Sequence, residues 1–145
     1  TGEIYGAMLL KAKADLVRWR ERRLSTTNQK ARPLPAAPVL NERLATTETA
    51  VAEACHRLRR LRPALAELTE LIAGNRVLLV PVLSEHPRRV GELLAKYPLM
   101  DVGDATLVVL SELWPRARLI TVDDDFRHYR RLRNQAVPVV MPGRK

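Results

Sequence analysis

Apolar positions fall into short runs, separated by prolines, glycines and charges, and the runs differ in period. The sharpest pattern lies at 99–126. Asp101 and Asp104 stand three apart, directly before the apolar run 105–110. Carboxylates belong there as N-caps, because the first four backbone N–H groups of a helix lack partners within it. A buried helix is predicted from this point to about Trp114, stopped by Pro115. Arg118-Leu119-Ile120-Thr121-Val122 then reads as a buried strand, and it delivers Asp123, Asp124 and Asp125 at its C-terminal end. In open parallel sheets, sites lie beyond the C-terminal strand ends, facing helix N-termini. This segment therefore brings Asp104 and Asp123 towards one place. Carboxylates packed together repel, and a hard divalent cation is the usual relief. The pattern leaves a second reading open, in which Asp101 and Asp104 are simple caps and the acidic triplet is a solvated turn.

The remaining periods fill in an alternating chain. Ile4, Met8, Leu9, Leu16, Val17 and Leu24 share one broad face of a predicted helix over 3–24, with Lys and Arg on the rest. Residues 25–38 have no period and contain Pro33, Pro35 and Pro38, which reads as a loop. Leu44 to Thr47 is a short strand or the entry to a helix over 48–60 capped by Thr46 or Thr47, with Ala50, Val51, Ala54 and Leu58 as its apolar stripe and Glu53 on the flank. Pro63 fits the first turn of a helix that reaches Ala73 and ends at Gly74-Asn75. The run 76–83 holds Pro81, so it is an edge strand or one that ends early. Ser84 is the expected cap of a helix reaching Tyr97, which Pro98 stops. A short basic helix is expected after Asp125 through Arg133, then a strand over 136–141 and a tail. Helices alternating with short apolar strands predict an α/β domain with a largely parallel sheet.

Composition narrows the function classes. A chain of 145 residues suits one domain with a real core. No apolar run approaches the roughly 20 residues of a membrane span. Cys55 is the single cysteine, so an internal disulfide and a multi-cysteine zinc site are excluded; the neighbouring His56 points elsewhere on a helix. A reducing cytoplasm is the expected compartment. The formal net charge of +9 suggests a polyanionic partner, nucleic acid first. Aromatic residues make up only 4 %, too few for an extended base-stacking platform. There is no glycine-rich phosphate loop, no serine elbow and no dinucleotide fingerprint.

The stretch PLMDVGDATLVVLSE, with LITVDDDFRHYR after it, resembles the second half of a PIN-domain nuclease, as in toxins of VapBC-type toxin–antitoxin pairs. The family's aspartate in a D-A pair corresponds to Asp104-Ala105. Its T-x-D strand end corresponds to Thr121-Val122-Asp123, and its D-F to Asp125-Phe126, with Tyr129 beyond. TTETAVAEACHRLRR resembles the segment with the family's second acid, which makes Glu53 that acid. The resemblance implies a three-layer α/β/α domain with a mostly parallel sheet, spanning 1–145 as one domain. The likeness is strongest over 44–141, with 25–43 as a loop or insertion. It implies a Mg²⁺-dependent endoribonuclease (Mn²⁺ as the other cation), with Glu53, Asp104 and Asp123 as catalytic metal ligands, Asp125 as a further ligand, and hydroxyls of Thr121 and Thr1 nearby. Arg57, Arg60, Arg127, Arg130 and Arg131 would bind the RNA backbone, and a DNA-binding antitoxin and a second copy of the chain are the implied protein partners. Thr1-Gly2-Glu3-Ile4-Tyr5 resembles the residues directly after the family's first aspartate, so the first strand and first acid are expected before Thr1; Asp15, inside a helical pattern, is a poor substitute. The alternative is a catalytically impaired PIN-like module that binds RNA or a protein partner.

Overall fold

The computed structural model describes residues 4–8 and 43–141. Within them run β1 (Ile4–Met8), β2 (Arg43–Thr47), α1 (Glu48–Arg57), α2 (Arg62–Ala73), β3 (Val77–Val80), α3 (Val82–Glu85), α4 (Pro87–Lys96), α5 (Val102–Leu113), β4 (Arg118–Ile120) and β5 (Val139–Val140). The strands form a five-stranded sheet in the order β3-β2-β1-β4-β5. Every pairing is parallel. This is the expected α/β/α architecture. The predicted helix beyond residue 8, the loop over 25–38, Thr1, Asp15 and the tail after Met141 lie outside the described residues.

One expectation is corrected at the centre of the sheet. The apolar pattern places Ile4–Met8 in a helix, and the family resemblance of residues 1–5 implies a first strand before Thr1. Instead Ile4–Met8 is the central strand, with Ala7 beside Ala45 of β2 and Leu119 of β4. Central strands of parallel sheets need no polar alternation, so Ile4 and Met8 fit either period.

The core gathers around α5, where every residue from Gly103 to Ser111 is buried. A helix apolar on all sides belongs inside a protein. Leu107, Val108 and Leu110 pack with Val90 and Leu93 of α4, Leu119 of β4, Phe126 and Tyr129. The arrangement is pinned by a salt bridge from Arg89 of α4 to Glu112 of α5, which is 7 % exposed: Nε and an Nη donate to its two oxygens at 3.1 and 2.7 Å. The carboxylate raises the pKa of the Arg89 guanidinium, chiefly by hydrogen bonding. Glu112 also accepts the Leu132 N–H at 2.9 Å.

Two local expectations fail, each through a backbone effect. Ser84 does not cap the helix that ends near Tyr97; its hydroxyl donates to the Pro81 carbonyl inside the four-residue α3. A proline excludes its predecessor from helical geometry. His86 before Pro87 accordingly takes φ −129°, ψ 47°, dividing α3 from α4. The basic helix expected through Arg133 is two single turns of 3-10 helix, Asp124–Arg127 and Leu132–Asn134. The Arg130 N–H donates to the Tyr97 hydroxyl at 3.0 Å rather than up a helix. Arg133 and Asn134 adopt φ of 58°.

Candidate active site

Thr47 ends β2 and opens α1 without a loop. Its hydroxyl accepts the Ala50 N–H at 3.2 Å, satisfying one of the free donors of the first turn. The same hydroxyl lies 2.8 Å from that of Thr106 in α5, and the Thr49 hydroxyl lies 2.9 Å from it. Thr106 in turn donates to the Gly103 carbonyl at 2.7 Å. These hydroxyls lock the first turns of α1 and α5 together at the C-terminal edge of the sheet. Sequence reading missed this trio, since Thr is common at helix starts and nothing in its spacing marks a contact 59 residues away.

The lock sets Glu53 against α5. A Cβ added at Gly103 would lie 2.6 Å from Glu53 Oε2, 3.4 Å from the Ala50 Cα and 3.4 Å from Asp101 Oδ1. Gly103 thus permits the close approach of a carboxylate to the turn that carries Asp104. Glu53 Oε1 accepts from Arg57 at 3.1 Å, one helical turn on.

The two acids before α5 have different tasks. Asp101 is the N-cap, and its Oδ1 accepts the Asp104 N–H at 2.7 Å. Asp104 is no cap: it is 1 % exposed, and the Tyr129 hydroxyl donates to its Oδ2 at 3.4 Å. Tyr129 is itself buried edge-on against Tyr97 and Phe126, with ring centroids 5.1 and 5.4 Å apart. A carboxylate buried beyond what capping needs is costly without a dedicated environment.

Asp123 comes after β4 at the same edge of the sheet. Its N–H donates to the buried Thr121 hydroxyl at 3.1 Å, and its Oδ1 accepts the Asp125 N–H at 2.9 Å. Asp124 pairs loosely with Arg127 at 3.6 Å, and Asp125 is exposed. The acidic triplet thus behaves in part as the turn that its pattern allowed.

Glu53, Asp101, Asp104 and the acidic triplet all present carboxylate oxygens, the ligand chemistry a hard cation takes. Among the described residues, however, no three acids, histidines or cysteines are grouped closely enough to hold a metal ion. Packing joins Glu53 to the turn bearing Asp104; it does not bring Asp123 or Asp125 into a three-ligand group with them.

The arginines divide similarly. Arg57 is 45 % exposed, Arg60 is exposed, and Arg127 is 60 % exposed. Arg130 and Arg131 are half-buried and engaged. Arg130 donates to the carbonyls of Arg127 and Tyr129 at 2.6 and 2.9 Å, and Arg131 to the Ser111 carbonyl at 2.8 Å. These hydrogen bonds brace the chain after β4 against itself and α5, while both residues stay partly exposed.

The description "PIN domain" belongs to the family model that matches residues 13–132. A search of curated proteins finds no match.

Proposed function

The chain belongs to the PIN-domain family, a family of nucleases acting on RNA that generally use divalent metal ions, and from that premise we propose that it is a metal-dependent endoribonuclease, the toxin of a toxin–antitoxin pair. The observation that carries the reading is the seating of Glu53 on the α5 turn that bears the buried Asp104. Glu53, Asp104 and Asp123 would hold Mg²⁺ or Mn²⁺, with Asp125 beside them. Asp123 is the acid at the same sheet edge that can supply a third donor. The bound ion supplies Lewis acidity and offsets charge that builds on the phosphate oxygens.

The chain's own groups do the rest. Gly103 and the threonine trio hold Glu53 and Asp104 in register. Tyr129 orients the Asp104 carboxylate through Oδ2. Exposed Arg57, Arg60 and Arg127 attract the RNA backbone, which gives affinity without sequence information. A DNA-binding antitoxin, homodimer formation and a cytoplasmic location complete the proposal. The net charge supports an acidic partner, and no helix among the described residues is long and apolar enough to cross a membrane. Incubating the chain with end-labelled single-stranded RNA tests the activity. Cleavage should require Mg²⁺, stop with EDTA and disappear in Asp104→Asn.

A specific observation favours a second reading, a PIN-like module that binds RNA without cutting it. The central strand leads into Leu9, Leu10 and Lys11, so no acid stands directly after its end, and the described acids stop short of a three-ligand group. RNA binding without cleavage at any Mg²⁺ concentration selects this reading.

A further inference from the structure

A cleft of about 410 Å³ opens between the first turn of α1 and the end of β3 with α3. Its size falls among small-ligand sites, roughly 300–1,000 Å³. It lies at the C-terminal edge of the sheet, and it shares a wall with the candidate active site. Thr47 and Thr49 line it, and the same two residues bond the Thr106 hydroxyl, two positions from Asp104. Val82 is buried, while Pro81 and Leu83 present exposed apolar surface, Leu83 at 40 %. Of the lining residues, Glu48 alone is ionisable, and it is exposed.

We propose that this cleft is a base-recognition subsite which seats a guanine of the RNA, with the Glu48 carboxylate reading its Watson–Crick edge. The proposal rests on the RNA-directed reading above. A carboxylate repels phosphate, so the cleft does not take the RNA backbone. Apolar walls suit the faces of a base, and single-stranded RNA is read where unstacked bases are splayed out and hydrogen-bonded on that edge. A carboxylate only accepts hydrogen bonds. Guanine offers it two adjacent donors, N1–H and the N2 amino group, matching its two oxygens. Adenine and cytosine set one amino group beside a ring acceptor, and uracil flanks its single donor with two acceptors; each leaves one carboxylate oxygen facing a lone pair.

The test uses the whole chain and fluorescein-labelled hexanucleotides in EDTA, read by anisotropy, so that binding is measured without cleavage. A hexauridine with one guanosine should bind about tenfold tighter than hexauridine, the discrimination expected of one bidentate contact. Inosine in place of the guanosine removes the N2 donor and should lose most of that gain. Glu48→Gln should abolish the guanosine preference while leaving hexauridine binding unchanged. Glu48 is exposed at a helix start, so the variant keeps its fold, which circular dichroism verifies. Leu83→Trp, which fills the cleft, should remove the preference too. Equal binding of the guanosine and uridine probes overturns the proposal, as does a preference that survives Glu48→Gln. A guanosine preference without cleavage in Mg²⁺ leaves the subsite standing and removes only the nuclease reading. Failure to bind any of the probes overturns the subsite, whereas cleavage of the same probes in Mg²⁺ decides the nuclease reading separately.

Discussion

Gly103→Ala should separate activity from stability. The added Cβ meets Glu53 Oε2 at 2.6 Å, well inside contact distance, so that oxygen must retreat by at least half an ångström or so. The carboxylate is the far end of a flexible side chain, and it leaves cheaply. The Ala50 Cα and Asp101 Oδ1, both at 3.4 Å, are in ordinary contact and need not move. Glycine within a helix costs up to about 1 kcal/mol relative to alanine. Against that gain stands loss of the exposed Glu53–Arg57 pair, about 0.3–0.5 kcal/mol. The net change should therefore stay within about 1 kcal/mol, or roughly 2–4 °C in Tm for a chain of this size. Activity should fall at least tenfold, because Glu53 is displaced from the Asp104 turn. Thermal unfolding monitored by circular dichroism and single-turnover cleavage of labelled RNA measure the two effects. Full activity in Gly103→Ala refutes the claim that this contact places Glu53. A collapse of Tm refutes the claim that only a flexible carboxylate yields.

Other contacts lead to four further outcomes. Thr106→Val keeps the shape but leaves the Thr47 and Thr49 hydroxyls without that partner, and urea unfolding should show a loss of roughly 1–3 kcal/mol. Arg89→Met strands Glu112 in the core and should cost about 3 kcal/mol, while the Arg89→Met/Glu112→Met double variant recovers part of the loss; equal losses in the two would refute the stranded-charge account. RNA binding should weaken steeply with salt, and reversing Arg57 and Arg127 to Glu should flatten that slope. Arg131→Gln should instead lower Tm with little effect on the slope, since its guanidinium is bonded to Ser111.

Much of the fold was legible because its signals are local. Asp101 before an apolar run, Pro63 at a first turn and Pro81 after a short edge strand each fix an element end through backbone chemistry alone, and the structure agrees at all three. The central strand was not legible. Five residues at the middle of a parallel sheet have no period of their own, and the strand's identity comes from its neighbours β2 and β4. The single turns after Asp123 were hidden for the same reason, being set by a hydrogen bond from Arg130 to the distant Tyr97.

The site divides along the same line. The positions of Asp104 and Asp123 at element ends came from strand and helix signals. That Asp104 is buried and bonded by Tyr129, whereas Asp101 does the capping, required tertiary packing. Gly103 had no sequence signal at all. Its importance lies in what it lacks, and only the approach of α1 reveals it.

If Glu53 and Asp104 cut RNA as one unit, their losses should not add. Single-turnover cleavage in Mg²⁺ by the wild-type chain, Glu53→Gln, Asp104→Asn and the double variant, at equal folded fractions, decides this. Residues that act as a unit are strongly non-additive. Each single variant should lose about a hundredfold or more, and the double variant should lose little beyond the worse single. Losses that multiply in the double variant, or a single variant that cuts as fast as the wild type, would contradict the joint role of these two acids.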